Sequence, residues 1–356
     1  DDNRKDIRNI DLITIDGSDA RDFDDAVWAE KDQTKNNKDG WRIIVAIADV
    51  AHYVKPDDAL DVEARKRGNS VYFPDRVVPM LPEALSNGMC SLRPNEDRAC
   101  LAVQITIDNQ GKKLSHEFFR ALMRSKARVT YEDLQSTFDS KEKIQSSGDF
   151  IGKLAIPLYG AFNALHTARL IRGALDIEVP EMQVQLGTNG DVENIKERER
   201  LDSHRLIEEF MVLANVCAAE TLEEKKYACV YRVHDVPSSD KINGLRVNLE
   251  AFGIKLNKGQ VVTSKLFNEV LKKAANHDAK ETINQLVLRS QSQAIYSSNN
   301  LGHFGLGLRR YAHFTSPIRR YSDLLVHRAL ILAHNYGKDG GKKATMEELE
   351  PICEAI

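Results

Sequence analysis

The hydrophobic pattern divides the chain into two parts. In the first third, short apolar runs are separated by polar turns that contain Gly, Asp and Asn, which is the pattern of β-strands. The polar stretch 31–40 predicts a hairpin between two of these strands, and the turn at 109–111 predicts another. The predicted strands cover residues 13–15, 26–28, 41–50, 99–108 and 114–123.

In the rest of the chain, apolar residues recur every three or four positions, as they do on helices. The helix that begins near Ser203 is apolar over much of its circumference, so we expect it to be buried. Thr130 and Asp133 form a capping box that starts an earlier helix. Further helices are predicted at 58–68, 141–172, 241–252, 264–275, 280–296, from Ser322 onward and at 345–356, with short strands at 178–185 and 228–234.

An acidic stretch separates the first two strands. Residues 13–28 read ITIDGSDARDFDDAVW and place five aspartates within ten positions. Carboxylates this close repel one another, so a folded chain keeps them together only around something cationic. Several carboxylates held on rigid elements are what a hard divalent cation needs, although their spacing does not fit a calcium EF-hand loop. A solvated acidic turn is the alternative, but the apolar residues at both ends favour a site.

A second stretch with candidate chemistry is the turn TSPIRRY at residues 315–321. Arginine is a permanently charged planar donor that suits phosphate, and Gly302, Gly305 and Gly307 allow close approach of a sugar-phosphate backbone. Carboxylates that hold Mg²⁺ opposite such an arginine make an arrangement for phosphodiester hydrolysis. The alternatives are a surface ion pair for the arginines and core positions for His303 and His313.

Composition limits the remaining possibilities. The net charge of −3 argues against a surface coated with nucleic acid, but not against a local basic channel. The five cysteines are odd in number and include no C-x-x-C, so they indicate neither a disulfide framework nor a zinc site. We find no signal peptide and no apolar run long enough to span a bilayer. We also find no internal repeat and no linker that would split the chain.

The segment 69–82, NSVYFPDRVVPMLP, is extended because its three prolines forbid a regular helix. Tyr72 and Phe73 lie inside it. Aromatic residues on such a segment are either part of the core or platforms on which bases stack.

Six motifs across almost the whole chain resemble the catalytic (RNB) domain of the ribonuclease II and ribonuclease R family, with wording closest to bacterial ribonuclease R. They are TIDGSDARDFDDAV, VAIADVAHYV, RGNSVYFPDRVVPMLPEALSNGMCSL, LIEEFMVLAN, YRVHDVPS and GHFGLGLRRYAHFTSPIRRYSDLLVHR, in this order. The resemblance implies an α+β fold in which a mixed sheet is wrapped by helices, with an internal channel for single-stranded RNA. It implies a processive, Mg²⁺-dependent 3′-to-5′ hydrolytic exoribonuclease that releases nucleoside 5′-monophosphates, with Mn²⁺ as a possible substitute for Mg²⁺.

The same resemblance assigns roles to particular residues. It implies that Tyr72 positions the terminal nucleotide, that Tyr131 contacts a second base, and that Arg320, with Arg319 beside it, clamps the phosphate. Ile177 stands where a stacking Phe is expected, and it offers no π face. The four aspartates that would hold the metal, of which Asp24 is also assigned to catalysis, are Asp16, Asp22, Asp24 and Asp25.

The resemblance also implies a domain organisation and a setting. We expect residues 1–356 to form one catalytic domain that lacks the cold-shock-type and S1 domains that normally flank it, with the C-terminal end of the domain truncated. We expect a cytoplasmic monomer that binds RNA with a free 3′ end and no membrane. Two other readings are a non-catalytic RNA-binding module of the same fold and a metal-dependent phosphohydrolase of small nucleotides.

Overall fold

The computed structural model describes residues 4–140, 150–177, 180–187, 189–257 and 259–356. Its centre is a seven-stranded sheet in the order β1-β8-β7-β4-β3-β2-β9. The outer pairs β1–β8 and β2–β9 are parallel and the inner pairs are antiparallel, so the sheet is mixed. The strands are β1 (Lys5–Asp6), β2 (Ile13–Asp16), β3 (Asp25–Lys31), β4 (Trp41–Ala48), β7 (Asp97–Ile107), β8 (Lys113–Arg124) and β9 (Ala127–Thr130).

The middle of the sheet is buried on both faces. All residues of β4 except Arg42 are buried, because helices and loops cover both sides of this strand. Helix α3 (Phe150–Arg172) packs on β3 and β4, and helix α4 (Asp202–Glu224) packs on β4 and β7. Both helices are rich in small and apolar side chains, and 13 residues of α4 are buried. The hairpins and the buried helix expected from the sequence are therefore confirmed.

Short helices frame the sheet. Helix α1 (Ala59–Arg67) begins at Asp58, whose side chain accepts a hydrogen bond from the Asp61 N–H, and ends at Gly68 with φ +72°. Helix α2 (Tyr131–Asp139) begins at Thr130, whose hydroxyl accepts from the Asp133 N–H, as the capping box predicts. Helices α8 (Tyr321–Ala333) and α9 (Met346–Ala355) follow near the end of the chain.

Three helices form a second, smaller core. They are α5 (Ser239–Glu250), α6 (Ser264–Ala274) and α7 (Lys280–Ser290), and their apolar faces pack together around Leu249 and Phe267. No helix among the described residues is both long enough and apolar enough to cross a bilayer.

The structure corrects one predicted helix and refines another segment. The predicted helix 280–296 ends at Ser290, because Ile295–Ser297 instead forms β13, which pairs antiparallel with β12 (Tyr231–Val233). This pairing joins residues distant in sequence, so local periodicity does not reveal it. The extended segment 69–82 forms the small hairpin β5 (Val71–Tyr72) and β6 (Val77–Val78). Tyr72 is 51% exposed and Phe73 47%, so neither belongs to the core.

Two other predicted elements fall partly outside the described residues. Residues 141–149 of the long predicted helix are not described, and its described part contains Pro157 and ends at Arg172. Residues 178 and 179 of the predicted strand 178–185 are likewise outside, and the described strands here are β10 (Met182–Leu186) and β11 (Val192–Glu197).

Candidate active site

The acidic stretch connects two neighbouring strands of the sheet. Asp16 is the last residue of β2 and Asp25 is the first residue of β3, so both lie on rigid elements at the same edge. Asp22 and Asp24 lie in the connection between them. The backbone of Asp24 is fixed by a hydrogen bond of 2.8 Å from the Ala48 N–H to its carbonyl oxygen.

The arginine turn reaches this edge from the other end of the chain. The Ile318 N–H donates to Oδ1 of Asp24 at 2.9 Å, and the Arg319 Nε lies 3.7 Å from Oδ2 of Asp24. Arg319 also donates from Nη2 to the Ser316 hydroxyl at 3.0 Å, and its side chain is 44% exposed, so its other donors remain available. These contacts join residues that are about 290 positions apart in sequence.

Arg320 faces a different partner. Its Nε and Nη2 donate to the two carboxylate oxygens of Asp323 at 2.9 and 2.7 Å. Asp323 is fully buried and also accepts from the Ser316 N–H at 2.8 Å and from the Ser322 hydroxyl at 2.9 Å. Arg320 and Asp323 therefore hold the turn in shape, and Arg319 is the arginine that faces the carboxylates.

One cavity of about 230 Å³ joins these groups. Strand ends, the arginine turn, helix α4 and the first residue of α2 all contribute to its wall. Its lining includes the four aspartates assigned from the sequence and both arginines, and it also contains Tyr131, Glu208, Asn215, Tyr311 and Ser316.

Burial and mutual repulsion disfavour negative charge on the aspartates. Burial, together with the charges of Asp25 and Asp22, raises the pKa of Asp16 to about 8, against the opposing effect of Arg128 and Arg319. Burial raises the pKa of Asp25 to about 6, against the opposing effect of Arg319. Burial also raises the pKa of Asp24 well above its ordinary value, although Arg319 and the Ile318 N–H lower it. One arginine therefore does not balance this cluster of carboxylates.

The donor set suits a hard divalent cation. Oδ2 of Asp16, of Asp24 and of Asp25 is buried and accepts no hydrogen bond. Such oxygens are costly unless a cation or donor satisfies them, and carboxylate oxygens are the ligands that Mg²⁺ prefers. Within the described part of the chain, however, no three Asp, Glu, His or Cys side chains stand close enough together to form a ready-made metal site.

The three predicted RNA-contacting residues lie in different positions. Tyr72 lies on the exposed β5–β6 hairpin, and its hydroxyl donates to Oδ2 of Asp22 at 2.8 Å. Tyr131 lines the carboxylate cavity and stacks on His204, with ring centroids 4.1 Å apart. Ile177 does not line this cavity. It lines another cavity, of about 850 Å³, together with His204, so the Tyr131–His204 stack lies between the two.

The sequence did not single out several residues of the cavity. Asn215 is buried on α4, where its amide donates to the Tyr311 hydroxyl at 3.0 Å and accepts from the Phe314 N–H at 2.7 Å. It thereby ties α4 to the segment before the arginine turn. The only signal for Asn215 was a polar residue within an apolar helical run, VLANVCAA. Glu208 and Tyr311 carried no comparable signal.

Comparisons with known proteins identify the family of the chain. The RNB domain family model matches residues 4–335. The chain belongs to the RNB domain family. It is 42% identical to ribonuclease R of Escherichia coli over 354 residues, which cover 97% of this chain and 43% of that protein. It is 44% identical to ribonuclease R of Vibrio parahaemolyticus over 339 residues, which cover 94% of this chain and 40% of that protein.

Solved structures share the RNB fold. Mycoplasma genitalium RNase R in complex with ribose-methylated single-stranded RNA superposes with a TM-score of 0.91 at 31% identity, covering all of this chain and 55% of that one. Yeast Ssd1, described as a pseudonuclease, has a TM-score of 0.76 at 20% identity, which shows a common fold alone. The chain thus spans less than half of the curated relatives' length, and the fold by itself does not decide activity.

Proposed function

We propose that this RNB domain is the catalytic part of a 3′-to-5′ exoribonuclease that hydrolyses single-stranded RNA processively to nucleoside 5′-monophosphates. The observation that carries the proposal is the meeting of four aspartates and Arg319 around one cavity. Three of the aspartates present buried oxygens without hydrogen bonds. Packing alone gives no reason for so many buried carboxyl groups in one place, whereas metal-dependent phosphodiester hydrolysis uses carboxylates to hold its cation.

Asp16, Asp22, Asp24 and Asp25 would hold Mg²⁺, or Mn²⁺ in its place. The cation would supply activation of a water and stabilisation of the leaving oxygen. Because the carboxylates line the cavity without forming a ready-made site, they have to move closer together to bind it. Oδ2 of Asp22 already accepts from the Tyr72 hydroxyl, which leaves one lone pair of that oxygen for the cation.

Arg319 is the better candidate for the scissile phosphate, although the family resemblance assigned that role to Arg320. The guanidinium of Arg320 donates two hydrogen bonds to Asp323, whereas the guanidinium of Arg319 lies half-exposed beside Asp24. Donors directed at charge that develops in the transition state accelerate the reaction without needing to strengthen substrate binding. Arg320 would act through Asp323 by holding the turn that carries Arg319.

The substrate would be an RNA strand with a free 3′ end. Tyr72 is exposed next to Asp22, where its ring can stack on the terminal base, and Tyr131 forms part of the cavity wall. Base–aromatic stacking is worth about 1–3 kcal/mol per base and tolerates any sequence. Ile177 would press on a base farther out, beyond His204, with less affinity than an aromatic ring. The monomeric state and the cytoplasmic location remain predictions.

The alternative is an RNA-binding module of the same fold without activity, as the description of Ssd1 as a pseudonuclease illustrates. The complete set of four aspartates and Arg319 favours the enzyme. One experiment separates the readings: the chain is incubated with 5′-end-labelled poly(A) and Mg²⁺, in parallel with EDTA. We expect a ladder of shortening products with Mg²⁺ only. Binding without shortening would support the module, and turnover of mononucleotides without shortening would indicate a small-nucleotide phosphohydrolase.

A further inference from the structure

Another cavity, of about 770 Å³, lies away from the aspartates and from the cavity that contains Ile177, and basic residues contribute to its lining. Three segments form it: the end of α3, the start of α6 and the Gly-rich stretch 300–309. Arg172, Lys265 and Arg309 contribute positive charge, and no Asp or Glu of the described residues lines it. We call it the cationic cavity. In a chain with a net charge of −3, a cavity with cations alone is not expected from composition.

The three cations form no ion pairs, although burial, which lowers the pKa of Arg172, is opposed by the charge of Glu209. None of Arg172, Lys265 and Arg309 forms an ion pair with any residue in the described part of the chain, whereas the next residue, Arg310, lies 3.0 Å from Glu223. Uncompensated cations around one concave surface focus a positive potential there and attract anions.

Only part of the Arg172 guanidinium forms hydrogen bonds. Its Nε donates to the Leu306 carbonyl oxygen at 2.7 Å, while its buried Nη2 has no hydrogen-bond partner. Gly307 has a φ of +61°, and a Cβ there would lie 3.2 Å from Cγ of Arg172. Glycine therefore lets the loop close tightly over the arginine stem.

The start of α6 adds further positive potential. Thr263 and Ser264 line the cavity, and the Thr263 hydroxyl caps the helix by accepting from the Leu266 N–H at 3.3 Å. The first amide groups of a helix have no intrahelical acceptor and form the positive end of its dipole. Two aromatic side chains, His234 and Phe304, complete the wall and contact each other edge to face, with centroids 6.0 Å apart.

From this combination of unpaired cations, a helix start and aromatic side chains, we propose that the cationic cavity binds a nucleotide phosphate at a second site outside the carboxylate cavity. The inference rests on the proposed action on RNA. The two cavities are linked through the ring contact between His303 and Tyr311, whose centroids are 5.3 Å apart. The phosphate belongs either to a more distant part of the bound strand or to a mononucleotide.

The test is the variant Lys265→Gln/Arg309→Gln, compared with Lys272→Gln/Lys273→Gln, which removes the same charge from the other end of α6. All four side chains are exposed, so folding is retained, which the thermal unfolding midpoint verifies. Binding of a 20-nucleotide oligo(A) and of AMP is measured in EDTA, where no hydrolysis intervenes. A failure of the proposed catalytic function would therefore leave this readout unaffected.

If strand phosphates bind, the slope of log K against log salt for oligo(A) falls in magnitude by about 1.4 in the test variant, because each lost contact contributes about 0.7. If a mononucleotide binds, the affinity for AMP falls about tenfold, which corresponds to about 1.4 kcal/mol. An unchanged slope together with an unchanged AMP affinity overturns the inference. An equal loss in the Lys272→Gln/Lys273→Gln control also overturns it, because the effect would then be one of overall charge.

Discussion

Asp24 is the residue through which the two halves of the candidate active site meet. Its carbonyl oxygen is bound to β4, its Oδ1 to the backbone of the arginine turn, and its Oδ2 lies near Arg319 without a hydrogen bond. Only Oδ2 is thus left for a ligand. A single carboxylate therefore has both a structural and a proposed catalytic role, and a substitution can separate the two.

Asp24→Asn should abolish cleavage while preserving fold and RNA binding. The amide oxygen can still accept from the Ile318 N–H, but one charge is lost from the proposed metal site. RNA should bind at least as tightly, because the repulsion between carboxylate and phosphate falls. Shortening of end-labelled RNA measures cleavage, and filter binding measures the affinity for RNA. Asp19→Asn, in the exposed part of the same stretch, should behave like the original chain. Strong hydrolysis by Asp24→Asn would show that these carboxylates are not catalytic.

Substitutions of Arg319 and Arg320 should have different effects. Arg319→Lys loses the planar fork next to Asp24 and should lower the rate constant at saturating RNA by on the order of a hundred- to thousandfold, with a small change in Kd. Arg320→Lys should instead destabilise the protein by about 1–3 kcal/mol, since a lysine cannot replace both charge-assisted hydrogen bonds to buried Asp323. Single-turnover kinetics measure the rate constant of each variant, and urea unfolding measures its free energy of unfolding. If the Arg320→Lys variant were as stable as the unmodified protein but had a much lower rate constant, Arg320 would be the arginine that contacts the scissile phosphate.

At the scale of elements, the hairpin β5–β6 presents Tyr72 to solvent beside the site. Tyr72→Ala should leave the rate on long RNA nearly unchanged but alter the length of the final product. A long strand has other contacts, whereas a short one depends on stacking worth about 1–3 kcal/mol. High-resolution gels of limit digests measure the product. Tyr72→Phe keeps the ring and loses the bond to Asp22, so its product should match that of the original chain. An unaltered product with Tyr72→Ala would contradict stacking.

Helices α1 and α8 are joined by a buried ion pair close to the arginine turn. Arg328 Nη1 lies 2.8 Å from Oδ1 of Asp61, which also accepts from the Tyr321 hydroxyl at 2.9 Å. Both charged side chains are only 7% exposed. Because Tyr321 directly follows Arg320, its hydrogen bond to Asp61 connects the arginine turn to the Asp61–Arg328 ion pair.

Arg328→Met should lower the free energy of unfolding by about 3–5 kcal/mol, because it leaves a buried carboxylate without its counter-ion. Equilibrium urea unfolding measures the change. Adding Asp61→Asn to this variant should recover part of the loss, since the uncompensated charge is then gone. A double variant no more stable than Arg328→Met would indicate that packing, not charge, holds the two helices together.

At the scale of the whole molecule, the carboxylate cavity should make stability depend on pH. Folding raises the pKa of Asp16 from 3.8 to about 8 and that of Asp25 to about 6. Groups with a raised pKa favour the folded state at low pH, and their contribution is lost as pH rises toward the folded value. In EDTA, the thermal unfolding midpoint should therefore fall between about pH 4 and pH 8.

Asp16→Asn should reduce this fall, and Mg²⁺ at pH 8 should raise the midpoint of the original chain, because a ligand of the folded state alone stabilises it. Asp19→Asn serves as the control. Differential scanning calorimetry across the pH range, with and without Mg²⁺, measures both effects. A midpoint independent of Mg²⁺ at pH 8 would argue against a cation site at the aspartates.

The sequence by itself determined five of the seven strands of the sheet (all but β1 and β9), the cap of α2, the buried helix α4 and the two stretches that carry candidate chemistry. These features depend on local periodicity and on residue types close together in the chain. Tertiary structure alone decided which arginine faces the carboxylates, because Arg319 and Arg320 are adjacent and only the position of Asp323 distinguishes them. It also decided that Ile295–Ser297 is a strand and that Asn215 joins α4 to the cavity. Arg319 faces Asp24 across about 290 positions of sequence, the Asn215–Phe314 hydrogen bond joins residues 99 positions apart, and β13 pairs with the distant strand β12. Local pattern carries no information about such pairings.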